Sequence, residues 1–257
     1  MDIKVSIITV CYNSEKTIEQ TIKSICDQSY SNFEYIIVDG KSTDKTLEIV
    51  EKYRDVLGDR LRVVSEKDKG IYDAMNKGIG MATGELIGII NSDDYYENDA
   101  IEKMVSGYND NHTNPFTVYY GGTAIIKDGK TLPLVYSDHN QLEKEMISHP
   151  SCFVTKATYE EMGVFNLKYP CVADYDLMLR YSRSGKVAFI PVKEHVANFA
   201  LGGACSTTKA YIDLLNLRMD YGQISKLQGN IDIFKAKLAA FMEKRGMKPI
   251  SFRKKSE

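Results

Sequence analysis

The sequence predicts an α/β protein with a Rossmann-like, mixed but mostly parallel central sheet flanked by helices. Three observations lead there. Short apolar strands alternate with helical patterns through residues 1–100, polar residues gather where those strands end, and the second half changes to turn-linked apolar segments. Residues 5–10 read as a buried strand, after which Asn13 or Ser14 caps a helix with the apolar stripe Ile18, Ile22, Ile25 and Cys26. A second strand, 35–38, stops at Asp39, and Ser42 or Thr43 opens a helix that turns Leu47, Ile49, Val50 and Tyr53 inward. Residues 61–64 form a third strand. Gly70 precedes a helix with Ile71, Ala74, Met75 and Ile79 on one face, and a fourth strand, 86–90, runs into Asn91-Ser92-Asp93-Asp94.

Beyond that point 118–120 and 124–126, followed by the Asp128-Gly129 turn, predict antiparallel or hairpin elements. A strand over 152–154, helices over 156–162 and 174–182, a short strand over 187–190 and a helix over 208–221 complete the pattern, with Gly185 ending the second of those helices. No internal repeat or low-complexity linker interrupts it.

The chain has 257 residues, 43% hydrophobic and 26% charged, which excludes a disordered or collagen-like protein. No apolar run approaches the roughly 18 residues that cross a bilayer, so no span is expected. From Asp2 the chain enters its first strand directly, so no export signal is expected either. Five scattered cysteines (Cys11, Cys26, Cys152, Cys171, Cys205) include no Cys-x-x-Cys pair, which argues against a disulfide framework or a zinc site and for a reduced cytoplasm.

Charge is unevenly spread: residues 226–257 carry nine Lys or Arg against three Asp or Glu, while the whole chain is at −2. This basic tail reads as a solvated helix face or as a contact with anionic lipid at the inner face of the membrane, through Lys235, Lys237, Lys244, Arg245, Lys248, Arg253, Lys254 and Lys255. In and just before it, Ile224, Leu227, Ile231, Phe234, Leu238 and Phe241 are spaced as one face of an amphipathic helix, which also admits a homodimer. Aromatic residues are not interleaved with the basic cluster, so no nucleic-acid partner is expected.

In open α/β sheets ligands bind beyond the carboxyl ends of the strands, where Tyr12, Asp39, Asp68 and Asp93 fall. The glycine-rich phosphate turns and the nucleophile elbow of other such sheets are missing, and the first strand runs into Cys11-Tyr12-Asn13-Ser14 without a glycine. Nucleotide phosphates would therefore need another source of positive charge. The acidic turn at 91–94 can hold a hard divalent cation that bridges phosphate oxygens and stabilises a departing diphosphate; a solvated turn is the other reading. Asp174 begins a helix, where a carboxylate serves as a cap or, within reach of a substrate hydroxyl, as a general base.

Four segments together resemble glycosyltransferase family 2, the inverting enzymes with a GT-A fold. They are Ile7-Ile8-Thr9-Val10-Cys11-Tyr12-Asn13, Ile36-Ile37-Val38-Asp39-Gly40-Lys41-Ser42-Thr43-Asp44, Ala82-Thr83-Gly84-Glu85 with the strand into Asn91-Ser92-Asp93-Asp94, and Ala173-Asp174-Tyr175-Asp176. The likeness runs over residues 3–210, and Asp68-Lys69-Gly70-Ile71-Tyr72-Asp73-Ala74-Met75-Asn76-Lys77-Gly78 is similar to the branch that builds bacterial surface polysaccharides. The resemblance implies a GT-A catalytic domain over 1–222, divided into a nucleotide-binding half (1–110) and an acceptor half (111–222), with a basic helical extension over 223–257. It implies transfer of a sugar from a nucleotide diphosphate sugar to the hydroxyl of a glycan or lipid-linked acceptor. A sugar nucleotidyltransferase and a non-catalytic sugar-nucleotide or glycan binding module are the alternatives.

By the same resemblance Asp174 is the base, and Thr9, Tyr12, Asp39, Asp68, Gly70, Asn76 and Ser92 bind the donor, Tyr12 by its ring face and Asp39 at the base edge. Asp93, with Asn91 and His195, would hold Mn or Mg. His149 would lie near the acceptor or sugar, and Gly202-Gly203 would form a loop that orders over the donor. The chain departs from the family pattern with Asn91 where the metal motif usually begins with Asp, Lys41 where a Gly follows two acids, and Ala173 where a Glu precedes the base.

Overall fold

The computed structural model describes residues 1–201 and 208–245. Contacts divide it into a larger unit, Met1–Leu167 with Asp174–Leu201, and a smaller one built from 168–173 and the described residues from 208 onward.

The larger unit begins with β1 (Val5–Cys11), α1 (Ile18–Cys26), β2 (Phe33–Asp39), α2 (Thr46–Glu51), α3 (Arg54–Leu57), β3 (Leu61–Ser65), α4 (Ile71–Met81) and β4 (Leu86–Ile89). It continues with β5 (Tyr95–Tyr96), α5 (Ala100–Asn111), β6 (Thr117–Lys127), β7 (Lys130–Thr131), β8 (Cys152–Thr155), α6 (Lys156–Met162), α7 (Ala173–Ser184) and β9 (Ala188–Ala200). Among the described residues nine strands form one sheet in the order β3-β2-β1-β4-β8-β6-β9-β5, with β7 paired to β6. The first four strands are mutually parallel, β8 runs antiparallel to β4 and β6, and β9 is parallel to β6. The sheet is thus mixed and mostly parallel in its first half.

Every residue of β1 and β2 is buried, the pattern of strands covered on both faces, which is why they read as unbroken apolar runs. Helix α1 buries Ile18, Ile22 and Ile25 as its spacing predicts. Helix α4 lies against β1 at Gly78, where a Cβ would come within 2.5 Å of Ile8 Cγ2. Gly84 brings the turn before β4 onto β1 even more closely, since a Cβ there would lie 2.6 Å from Ser6 N and 2.7 Å from Lys4 O. Beside that turn Glu34 accepts from Ser6 Oγ (2.6 Å), Thr83 N (2.6 Å) and Thr83 Oγ1 (2.9 Å), with Lys4 Nζ at 3.3 Å and Arg62 Nη1 at 3.5 Å.

Several elements differ from the sequence expectation. Neither Asn13 nor Ser14 caps α1 through its side chain: Asn13, at φ 50°, accepts from Thr43 N through Oδ1, and Ser14 Oγ lies 2.8 Å from Ser92 Oγ. Ser42 bonds Asp39 instead of opening α2. On α4 the inward residue is Tyr72 (6% exposed), whereas Ile71 is exposed. The two apolar pieces at 118–126 are one continuous strand, and Asp128 (φ 51°) with Gly129 (φ 71°) forms the hairpin turn into β7. The short strand expected at 187–190 extends over 13 residues as β9, which follows β6 through register shifts near Gly122.

The smaller unit holds α8 (Thr208–Asp220) and α9 (Lys226–Lys244), which pack on each other; a Cβ at Gly229 would meet Met219. Helix α8 therefore groups with the C-terminal helix, and the division falls earlier than the boundary at 222 implied above. On α9 Leu227, Ile231, Phe234 and Phe241 are exposed, the face that the spacing predicts. Gly202, Gly203, Cys205, Lys248, Arg253, Lys254 and Lys255 lie outside the described residues, as does the side chain of Lys244. No helix among the described residues is long and apolar enough to cross a membrane.

Candidate functional site

The registers align the carboxyl ends of three parallel strands, with Cys11 opposite Asp39 and Asp39 opposite Ser65. Asp39 is fully buried there. It accepts from Ser42 N (3.0 Å) and the Ser42 hydroxyl, from Ser65 Oγ (2.6 Å), and from Cys11 Sγ at 3.7 Å. Burial, and then the Asp39 charge, push the Cys11 thiol far up, so it stays protonated and donates. Asp39 thus fixes the hydroxyls at the edge of the sheet, and both of its oxygens accept hydrogen bonds.

Just above that row the chain opens. Tyr12 is 62% exposed, and its Cβ and Cδ2 lie 3.4 Å from where a Gly40 side chain would begin. Asp68 Oδ2 lies only 2.6 Å from the same point. The missing side chain at Gly40 therefore lets an aromatic face and a carboxylate converge on one spot. Asp68 Oδ1 accepts from Gly70 N at 2.9 Å, and Gly70, at φ 123°, adopts a backbone that other residues rarely reach before α4 begins.

The acidic turn follows β4. Asp94 is buried and accepts from Ala200 N (2.9 Å) and Asn91 Nδ2 (3.2 Å), while its backbone carbonyl accepts from Thr21 Oγ1 (2.6 Å). Burial and then the neighbouring Asp93 charge push its carboxyl up to about 7. Asp93 is half-buried, and burial raises its carboxyl as well. Asn91 Oδ1 is buried without a hydrogen-bond partner. A hard cation taking Asp93 and this orphaned oxygen, and completing its shell with phosphate oxygens and water, fits such a donor set. Among the described residues no group of three His, Cys, Asp or Glu is arranged to hold a metal ion.

Asp174, in the first turn of α7, is half-buried; its Oδ1 accepts from the Tyr72 hydroxyl (2.9 Å) and from Tyr175 N (2.9 Å). No hydrogen bond reaches its Oδ2 among the described residues. The Asp174 charge acts on two buried neighbours, His149 and Cys152. Burial holds His149 below its ordinary range, with Asp174 opposing that shift, and pushes the Cys152 thiol up.

Three residues named from the sequence lie elsewhere. Thr9 is fully buried, and its hydroxyl accepts from Tyr35 OH at 3.0 Å, so it packs within the sheet. Asn76 spends both ends of its amide on the backbone of Phe165, donating to its carbonyl (2.9 Å) and accepting from its N–H (3.0 Å). His195, on β9, has Nδ1 3.6 Å from Glu97 Oε1 and Nε2 3.2 Å from Ala197 O, and among the described residues it belongs to no group of three metal-ligating side chains. Sequence reasoning missed Gly40, Ser65 and Tyr72. The glycine inside the Asp39-Gly40-Lys41-Ser42 segment is a signal for the first; a helical tyrosine reads as core.

Comparison with known proteins bears on the family and the fold. Residues 6–159 match the family described as "Glycosyl transferase family 2". The chain is 31% identical over 176 residues, 68% of each chain, to a PGL/p-HBAD biosynthesis glycosyltransferase of Mycobacterium tuberculosis (strain ATCC 25177 / H37Ra). Its fold is similar to that of Staphylococcus aureus TarS residues 1–349 in complex with UDP-GlcNAc, with a TM-score of 0.68 at 18% identity over 93% of this chain and 81% of that one. A mannosyltransferase from Pyrobaculum calidifontis in complex with GDP-Man and Mn2+ gives 0.66 at 20% identity, over 91% and 69%.

Proposed function

The chain belongs to glycosyltransferase family 2 and is a glycosyltransferase, and from that premise we propose which of its residues carry the transfer. The donor is a nucleoside diphosphate sugar. Tyr12 stacks on the base, and Asp68 accepts from the base or ribose beside it. Asp39 acts indirectly, by fixing the Ser42 and Ser65 hydroxyls beneath them. Gly70 starts α4 close to Asp68, Asn76 holds the Phe165 segment, and Ser92 ties the acidic turn to Ser14.

Asp93 and Asn91 Oδ1 would hold a divalent cation, Mn or Mg, which when bound supplies positive charge to the diphosphate. Asp174 Oδ2 takes the proton of the acceptor hydroxyl as that oxygen forms its bond to the anomeric carbon. The bond from that carbon to the diphosphate breaks with its electron pair staying on the diphosphate, and the configuration inverts. The observation that carries this reading is the state of Asp174, on the family's base position: one oxygen is held by two donors and the other takes none among the described residues.

Hydrolysis of the donor by water, with no acceptor added, tests it: the wild type releases nucleoside diphosphate and Asp174→Asn does not. Full turnover by Asp174→Asn would overturn the assignment. The donor nucleotide is read by thermal unfolding with UDP, GDP, dTDP and CDP, each with and without manganese.

The acceptor is a glycan or a lipid-linked glycan, and the enzyme works in the cytoplasm at the inner face of the membrane. Exposed Leu227, Ile231, Phe234 and Phe241 on α9, within a segment holding nine basic against three acidic residues, support docking on an anionic bilayer. Flotation with anionic vesicles at low salt, lost at high salt, is the expected result; absence of flotation together with a concentration-dependent dimer would assign that face to a second copy instead.

A further inference from the structure

The hydroxyl that holds Asp174 comes from 102 residues earlier in the chain. Tyr72 lies in the first turn of α4, immediately after the Asp68-Gly70 turn, and its ring is buried. That ring packs on Phe165, with centroids 5.3 Å apart, and Phe165 is itself held, by the two bonds between Asn76 and its backbone and by His149, which meets its ring at 5.6 Å in a T-shaped contact. At the other end α4 is seated on β1 through Gly78. A phenol held this firmly can hold its partner firmly.

We propose that Tyr72 is the positioning residue of Asp174: its hydroxyl occupies Oδ1 and locks the rotation of the carboxylate, leaving Oδ2 as the oxygen that takes the proton. This rests on Asp174 being the base. The terminal torsion of an aspartate is broad and two-fold. Without Tyr72, Oδ1 keeps only Tyr175 N–H, from its own turn, and the rotation of the carboxylate is held less firmly. The other titratable groups against Asp174 are His149 and Cys152, both kept neutral by burial near neutral pH. Because Tyr72 and the Asp68 turn share the start of α4, one rigid element sets both the donor side and the base.

The test uses the full chain with manganese and UDP-N-acetylglucosamine, UDP-glucose or GDP-mannose, whichever is hydrolysed, with water as acceptor. Tyr72→Phe keeps the ring and removes the hydroxyl. Its kcat falls by about tenfold to a hundredfold with little change in KM for the donor. Phe165→Leu loosens the ring packing but leaves the hydroxyl, and keeps most of the wild-type kcat, which separates a positioning effect from lost stability. A Tyr72→Phe enzyme with wild-type kcat overturns the proposal, as does a Phe165→Leu enzyme that loses as much kcat as Tyr72→Phe. Turnover surviving in Asp174→Asn would instead defeat the assignment of the base, whatever Tyr72→Phe does.

Discussion

Glu34 should make the fold acid-sensitive by an amount that one substitution removes. Its side chain is only 6% exposed. Burial alone would raise its carboxyl, but hydrogen bonds from Ser6, from both donors of Thr83 and from Lys4 outweigh it and bring it from 4.5 to about 2. Lys4 and Arg62 are 45% and 41% exposed and therefore screened, so the neutral donors Ser6 and Thr83 supply most of the effect. A folded value below the unfolded one means stability that is complete above about pH 4.5 and is lost as pH falls toward 2.

The full shift corresponds to about 3 kcal/mol, of which about 2 kcal/mol is gone by pH 3. Glu34→Gln abolishes this titration while keeping the shape. Urea unfolding of both proteins at pH 7 and pH 3 measures it, because the other carboxylates titrate alike in the two. The wild type should lose about 2 kcal/mol more than Glu34→Gln between the two conditions. Equal losses would refute the reasoning and place Glu34 in a site as open to water as its two cations.

Gly84→Ala should destabilise by about 2 kcal/mol or more, read by urea unfolding, because its Cβ would be driven into the backbone of Ser6 and Lys4. Tyr12→Ala should weaken nucleotide binding by about tenfold to a hundredfold in a calorimetric titration, the value of one base on an aromatic face, while Tyr12→Phe stays near wild type. Asp93→Ala should abolish the part of the nucleotide-induced rise in unfolding temperature that depends on manganese; a shift unchanged in this variant would remove Asp93 from the metal reading.

Much of the first half of the fold was legible because β1 and β2 are buried on both faces, which leaves continuous apolar runs ending in polar residues. The same feature hid the orientation of Thr9. With both faces buried, alternation carries no sign of which side meets a ligand, and Thr9 faces Tyr35. Strand β6 read as two pieces because Gly121 and Gly122 break the apolar run; both are there for close approach, to Val196 and to the Tyr136 ring. Strand β9 was cut short because Pro191, Lys193 and Glu194 interrupt its pattern, and only pairing with β6 reveals its length. Around the candidate site, Asp68 and Asp174 were singled out by position and residue type. Their partners Gly40 and Tyr72 are set by where helices and strands cross, which spacing along one element does not encode.

The bond from Cys11 to Asp39 gives the enzyme an internal chemical reporter. A thiol this deep and this firmly protonated is inert to alkylating reagents, since only thiolates attack them. Cys11 becomes modified only when the ends of β1 and β2 part, so its labelling rate counts those openings. A nucleotide seated on Tyr12, the next residue in the chain, should slow that clock, and it would do so without any acceptor, metal or turnover.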